Sequence, residues 1–457
     1  MGSAFSWIEQ LGPSGFLVNA IFASLASIGV LFAYILVRRA YRRRQIRTRE
    51  EHTIAIRKQW DALLDGRVPI EHWRFNELDC NIVETILLDQ LEVAPRARAK
   101  RLRRFLLTSG LLDRRIYESR HLRGWKRRQA MVALGRMRAP EVIPALTEAL
   151  DDPGAETRVA AIQALGQTGV SQAAVPILDR ITRGSLHAPA MVLQNALFSC
   201  CRRRPSVLLS YVPKAEDVFR PMLARVLAEV ATPELGDDLQ VLASDPLAEV
   251  RASAARALGQ ARPQQALMVL ANLATDQEWF VRLRAVVALG ELRDVRTIPV
   301  LIETLCDSNR YVRLRSATAL ARLESYVQEI LGLVQQRGDR YAMQALVSEL
   351  ERSGCILRLL DALADPKQRS TAESVLLTAL QAGTHRLLLD ALAHHANGHV
   401  RVAMARLLAR SGETRLLPQL ETLNTAAKAP RQQRVIRWLV HQLRSESPLP
   451  EYDTVHA

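Results

Sequence analysis

Asp152 and Arg158 stand six residues apart, and the same spacing returns at Asp245/Arg251, Asp276/Arg282 and Asp307/Arg313. A carboxylate held against a guanidinium suits general acid–base work or a charge-assisted hydrogen bond. An active site needs such a pair once; a pair that returns at a fixed step argues for architecture. Histidines gather late, at His385, His394, His395 and His399. Asp390 and His394 have the i,i+4 spacing that places two ligands on one helix face. Asn397-Gly398 interrupts that helix before His399, and no Cys or Glu completes a set, so the sequence assigns neither a metal nor a cofactor. P-loop, GxSxG, HExxH and strand-borne GxGxxG patterns are absent. No catalytic residue is assigned, and the chain reads as a non-enzyme. Two places suit recognition instead. Arg202, Arg203 and Arg204 form a basic run, and Trp279-Phe280 opens a helix with two aromatics, a residue class that anchors interfaces.

These residues sit on a repeating frame. Arg251, Arg282 and Arg313 are separated by steps of 31 residues, as are Gly135 and Gly166, and Gly259 and Gly290. A period between about 20 and 50 residues is the mark of a solenoid. Each unit is expected to begin a helix near Asp-Pro (Asp152-Pro153, Asp245-Pro246, Asp365-Pro366), with Asp as cap and Pro at the first helical position. An apolar stripe such as Val281, Ala285, Ala288 and Leu289 follows, and the glycine is expected to end the helix. A second helix then carries a proline in its first turn, at Pro144, Pro176, Pro299 and Pro418. The pattern predicts an all-α fold: a solenoid of about ten helical pairs over residues 122–444. The units near 185–245 and 340–395 are degenerate, and Phe198, Glu229 and Ala321 replace the glycine. Functional surfaces are expected where the echo fails.

The pattern D-P-x-x-x-V-R-x-x-A-x-x-A-L-G, carried by Asp245 to Gly259 and nearly by Asp276 to Gly290, resembles HEAT repeats. The likeness is closest to the short variety called phycobilisome-lyase-type, and it covers most of the chain. It implies that Asp152, Arg158, Asp245, Arg251, Asp276, Arg282, Asp307 and Arg313 form a ladder of charge-assisted bonds between neighbouring repeats. The ladder is expected to break at Arg401, where His395 takes the Asp position. Among HEAT-like enzymes, deoxyhypusine hydroxylase binds iron through His-Glu pairs; this chain has no His-Glu dipeptide.

Ahead of the array, Leu11 to Val37 contains no charged residue. Its core, residues 15–37, would span roughly 35 Å as a helix, against a hydrocarbon thickness of about 30 Å. A transmembrane helix is predicted there, after a short extracytoplasmic segment at 1–14. Arg38, Arg39, Arg42, Arg43, Arg44, Arg47 and Arg49 follow it, and positive residues stay cytoplasmic. The N-terminus is therefore expected outside and the solenoid inside, on a single-pass anchor in a bacterial inner membrane. A basic juxtamembrane helix at 38–60 is positioned to meet anionic lipid. Gly66, Pro69 and Pro95 break residues 61–121 into short helices, including Asp79–Leu91 and Arg96–Leu107. This stretch is read as a capping subdomain, the alternative being a groove for an acidic partner. Residues 445–457 are expected to be a disordered tail.

The net charge of +15 suggests nucleic acid until it is located. Residues 1–138 hold 26 Lys/Arg against 13 Asp/Glu, whereas residues 139–457 hold 36 against 34. An array so nearly neutral is poorly suited to phosphate backbones. Five cysteines without a CxxC spacing fit a reducing compartment. The reading is a membrane-anchored scaffold that offers a long cytoplasmic surface to protein partners. In layout it is similar to bacterial membrane-anchored HEAT-repeat proteins that accompany inner-membrane glycosyltransferases making exopolysaccharide, which implies such an enzyme as partner. The alternatives are a nucleic-acid-binding HEAT-like protein and a lyase that cradles a ligand in its repeats.

Overall fold

A run of apolar residues followed by arginines, free of proline after Pro13, gives one long helix. The computed structural model describes residues 13–445 apart from 70, 75, 382–384 and 428, and in it Pro13–Lys58 (α1) is continuous over 46 residues. At 1.5 Å per residue that is about 69 Å. Within it, Ala20–Lys58 holds a window of mean hydropathy 2.4, so the helix is long and apolar enough to cross a membrane. The expected tail from residue 446 and the first twelve residues of the expected extracytoplasmic segment lie outside the described residues.

The chain forms two units, residues 1–168 and residues 169–457. In the first, α1 runs directly into the short helices of residues 61–121. Ile56 is buried, His52 Nδ1 lies 2.6 Å from Asp79 Oδ1, and Trp60 Nε1 donates to Gln90 Oε1 at 2.9 Å. Both contacts fall on Glu77–Val93 (α2), whose first turn is capped by Asn76. Arg96–Thr108 (α3) buries Leu102, Phe105 and Leu106 beneath Trp60 and Trp73 and leaves Arg101, Arg103 and Arg104 exposed. Leu111–His121 (α4), Gly124–Met137 (α5) and Ala155–Thr168 (α6) complete the unit.

The second unit continues the step. Its long helices are Ala190–Cys201 (α7), Arg220–Val230 (α8), Ala248–Ala261 (α9), Trp279–Leu292 (α10), Arg310–Ala321 (α11), Arg340–Arg352 (α12), Arg369–Gln381 (α13), Gly398–Ser411 (α14) and Pro430–Arg444 (α15). A shorter helix follows each except the last, and no strand occurs among the described residues. The fold is an all-α repeat solenoid, and the degenerate units keep their helix pairs. Proline stands in the first turn of the second helices at Pro144, Pro176, Pro299 and Pro418.

Two local expectations are corrected. First, the glycines do not end the helices. Gly259 and Gly290 are buried inside α9 and α10, which run on to Ala261 and Leu292. A Cβ on Gly259 would meet Ala288 Cβ at 2.7 Å, and one on Gly290 would meet Ala319 Cβ at 2.7 Å. Gly135 stands likewise against Ala164 Cα at 2.7 Å. Each glycine lets the next long helix approach, which is a packing requirement rather than a turn. The turn itself falls to Arg138, Arg262 and Arg293, whose φ values of 50°, 51° and 53° are left-handed.

Second, the Asp residues do not cap the helices. Asp245 Oδ1 accepts the Leu247 amide at 2.9 Å, and Asp276 Oδ1 accepts that of Glu278 at 2.9 Å. Each forms a side-chain turn just before the helix, and Pro246 precedes the first helical residue, Ala248.

The Asp and Arg positions are joined across repeats. Arg251 donates to both carboxylate oxygens of Asp276 (2.7 and 2.9 Å), and Arg282 does the same to Asp307 (2.6 and 3.0 Å). Each arginine also donates backward to main-chain carbonyls: Arg251 to Asp245 and Pro246, Arg282 to Asp276 and Gln277. The residue six positions earlier therefore contributes its carbonyl, and the carboxylate comes from the following repeat. Arg127 holds Asp152 in the first unit, and Arg158 donates to the carbonyls of Asp152 and Pro153. Arg220 and Asp245 are looser, at 3.9 Å. Among the described residues, Arg313 donates only to the carbonyls of Asp307 and Ser308. At His395 the turn survives without a carboxylate: its Nδ1 accepts the Asn397 amide at 3.2 Å, its Nε2 meets Asp361 at 3.1 Å, and Arg401 reaches its carbonyl.

This difference predicts a ranking. Arg282→Ala removes four hydrogen bonds and leaves Asp307 half-buried without its counter-charge, a loss of about 2–3 kcal/mol. Arg313→Ala removes two neutral-acceptor bonds, about 1 kcal/mol. Hydrogen exchange across α10 and α11 reads both, and equal losses would contradict the geometry.

Acid sensitivity follows from the same rungs. Burial pushes the Asp276 carboxyl up, but the bonds from Arg251 and the Glu278 amide outweigh it and hold it below the ordinary value of 3.8. Asp307 is held down in the same way by Arg282 and the Asn309 amide, against its burial. A carboxyl depressed in the folded state contributes stability that is complete above its unfolded value and is lost as pH falls through the folded one. Stability is thus expected to be unaffected by these groups from neutrality to about pH 4, then to fall. Asp276→Asn with Asp307→Asn should lower stability at neutral pH and flatten the acid limb; an unchanged limb would show that these rungs do not titrate with folding.

Candidate protein-docking surface

The long helices α9 to α13 bury one face and expose the other at helical spacing. On α10 the outward positions are Trp279, Phe280, Leu283, Arg284 and Val287; on α11 they are Arg310, Tyr311, Leu314, Arg315 and Thr318; on α12 they are Arg340, Tyr341, Gln344, Ala345 and Ser348. Four large apolar or aromatic side chains in this set stay well exposed: Trp279 at 41%, Tyr311 at 54%, Leu314 at 49% and Tyr341 at 71%. Aromatic surface left in water costs free energy that burial would recover, so several exposed rings on adjacent helices make a candidate binding surface.

The local turns hold these rings in place. Asn309 accepts the Tyr311 amide at 2.9 Å, and Asp339 accepts the amides of Tyr341 at 2.8 Å and Ala342 at 3.1 Å. Each tyrosine is thereby fixed in the first turn of its helix. Trp279 and Tyr311 lie 6.1 Å apart between ring centroids, tilted by 33°, and Phe280 meets Trp279 edge-on at 6.1 Å. The Arg310 guanidinium lies 5.4 Å from the Tyr311 ring centroid. The rings form a ridge across successive repeats.

Arginine completes the composition. Arg284, Arg310, Arg315 and Arg340 are all exposed, and none of the four has an ion-pair partner among the described residues. Trp, Tyr and Arg are the residue types enriched at interface hot spots. The ridge also has edges. The outward face of α9 offers Ala252, Arg256 and Gln260, and that of α13 offers Ser370, Thr371, Ser374 and Thr378. The aromatic character is confined to three helices.

Trp279 and Phe280, singled out in the sequence, are thus part of the ridge. Tyr311, Leu314 and Tyr341 were missed, although Tyr311 lies one 31-residue step beyond Phe280. Arg202, Arg203 and Arg204 are exposed on the turn that follows α7, on a different element from the ridge. The neck arginines run along the exposed part of α1, where Arg39, Arg43, Arg44 and Arg47 line a shallow groove with Leu36.

A second concavity, of about 570 Å³, lies in the first unit among α1, α2, α4 and α5. Its charges largely satisfy one another. Arg115 binds Glu84 through two bonds of 2.7 and 2.6 Å and also Glu118 at 2.5 Å; Arg114 binds Glu118 at 2.9 Å; Arg136 binds Asp89 at 2.8 Å. This network ties α2, α4 and α5 together.

Elsewhere, Asp390 and His394 are 3.0 Å apart, and Asn397 ends its loop by accepting the His399 amide. Among the described residues no group of three or more His, Cys, Asp or Glu is arranged to hold a metal. Burial pushes the adjacent Cys200 and Cys201 thiols up to about 12, which keeps both neutral at physiological pH.

Residues 119–190, 205–286, 239–321 and 267–351 match the family of HEAT repeats. No curated protein matches the chain. Solved structures similar to it include YibA from Escherichia coli, at 16% identity, covering 73% of this chain and 92% of that one with a TM-score of 0.26. A chain of the Kap95p–RanGDP complex is 14% identical over 80% of this chain and 62% of its own, with a TM-score of 0.35. A chain of the CpcE–CpcF phycocyanin lyase from Nostoc sp. is 16% identical over 58% of this chain and 94% of its own, with a TM-score of 0.20. The recurrent helix pair, the turn chemistry repeated from unit to unit and the family match agree: the chain carries HEAT repeats over residues 119–190 and 205–351.

Proposed function

We propose that this protein is a non-enzymatic scaffold anchored in a bacterial inner membrane, and that it docks a protein partner on the ridge of α10, α11 and α12. The observation that carries the proposal is the exposure of Trp279, Tyr311, Leu314 and Tyr341 beside four unpaired arginines. A repeat solenoid is suited to protein interaction because its units present side chains along an extended surface. The partner is assigned to a membrane complex, with an exopolysaccharide-making glycosyltransferase as the candidate that the layout of anchor and repeats favours.

The apolar half of α1 supports the anchor, and its basic half supports a cytoplasmic solenoid. Arginines just beyond the span would face anionic headgroups, at about 1 kcal/mol each near the surface. The full chain is expected to stay in the membrane pellet through a high-salt, high-pH wash. A tag at the C-terminus should be protected from protease in intact spheroplasts, and one at the N-terminus should be cleaved. Release by the wash would remove the anchor from this account, and the opposite tag pattern would reverse its orientation.

A further inference from the structure

We infer that the segment seated on the ridge is an acidic, extended peptide stretch of a protein partner, carrying at least one aromatic or leucine side chain. The inference rests on the docking function proposed above and specifies its ligand.

Charge selects the ligand. Over residues 279–288, 310–319 and 340–349 the basic residues are Arg282, Arg284, Arg310, Arg313, Arg315 and Arg340, and the acidic one is Glu349. Arg282 is committed to Asp307, and Glu349 is buried and paired with Arg352. Arg284, Arg310, Arg315 and Arg340 therefore form a net positive frame around the rings, against which the exposed Glu278 beside Trp279 sets one negative charge. Carboxylates accept bidentate bonds from such guanidinium groups, and the solvent-exposed setting makes the attraction steering and salt-sensitive.

Geometry selects the length. Packed helices lie about 8–10 Å apart, so three of them span roughly 20 Å between outer axes. An extended chain rises about 3.3 Å per residue, so six to eight residues cross the ridge. Alternate side chains of such a segment point down, where they can fill the spaces around Trp279, Tyr311 and Tyr341. Four arginines are few for nucleic acid, which relies on many phosphate contacts.

The test uses the full chain in nanodiscs against a phage library displaying random peptides. Selected peptides are expected to be rich in Asp and Glu around an aromatic or leucine. Synthesised with a fluorescent label, the tightest of them should bind at least about tenfold more weakly to R310E/R315E and weaken with salt. Its counterpart with every acid replaced by lysine should prefer R310E/R315E to the native chain. Circular dichroism checks that the variant is folded. Selected peptides without acidic enrichment, binding indifferent to charge reversal, or tighter binding of a labelled thymidine oligonucleotide would each overturn the inference. A partner still captured from membranes by R310E/R315E as well as by the native chain would overturn the acidic-ligand assignment alone; no capture by the native chain under crosslinking would overturn the docking function itself.

Discussion

Alanine at both Trp279 and Tyr311 is expected to weaken capture of the partner by about thirtyfold or more, while the melting temperature shifts by only about 2–4 °C. The two effects separate because the rings face outward. Trp279 is 41% exposed and Tyr311 54%, so much of their surface is uncommitted in the free protein and only a partner can bury it. Truncating a hot-spot aromatic costs about 2 kcal/mol or more of binding, which is roughly thirtyfold in affinity. The same substitutions at Val281 or Leu289, buried on the inner side of α10, would unfold the unit instead. Surface plasmon resonance with the captured partner, read beside thermal melts, separates the cases. Equal binding by the native chain and the double variant would dismiss the ridge.

A methyl group at residue 259 is expected to cost about 1–2 kcal/mol, and the same group at residue 332 to add about 0.5–1 kcal/mol. Both glycines lie within helices, where alanine is intrinsically favoured by roughly 1 kcal/mol. At Gly332, in the helix Val327–Arg337, a Cβ meets nothing within 4 Å, so the intrinsic preference decides the sign. At Gly259 a Cβ would stand 2.7 Å from Ala288 Cβ and 2.9 Å from Ala288 Cα. A backbone atom cannot step aside as a flexible side chain does, so α9 and α10 must separate, and the overpacking cost of about 1–3 kcal/mol outweighs the helix gain. Thermal melts of G259A and G332A with opposite signs are the expected result; two stabilised variants would place the glycines back at helix ends.

The period of 31 residues made the all-α frame legible, because each unit must repeat its helices to repeat its residues. It misled on what the repeating residues do. A glycine near the end of an apolar stripe reads as a terminator, yet Gly259 and Gly290 lie inside helices that end on left-handed Arg262 and Arg293. Spacing along one chain cannot report a contact made by the next helix. The Asp positions show the same limit at the cap, where Asp276 turns the chain ahead of α10 rather than capping it, while its bond to Arg251, 25 residues earlier, is a rung between neighbouring repeats such as the resemblance implied.

The ridge was half legible. Trp279 and Phe280 stood out by residue type, but exposure belongs to the folded surface, and only helix register shows that Tyr311, Leu314 and Tyr341 face the same way. Expected functional surfaces at the degenerate units also give way in part. The ridge occupies α10, in a regular unit, and α11, where Ala321 takes the glycine's place, and reaches the degenerate stretch only at α12. Regularity constrains the buried face, where Val281, Ala285 and Leu289 lie, and leaves the outward face free to carry something else.

The most direct test of the docking claim is a photo-crosslinking amino acid introduced at Leu314, and separately at Ser374, in the full-length protein in intact cells. Both positions face outward, Leu314 within the ridge and Ser374 beyond its edge. A discrete protein adduct at 314, absent at 374 and abolished by R310E/R315E, is the predicted result. Adducts of equal yield at both positions, or none at 314, would contradict a docking surface on α10, α11 and α12.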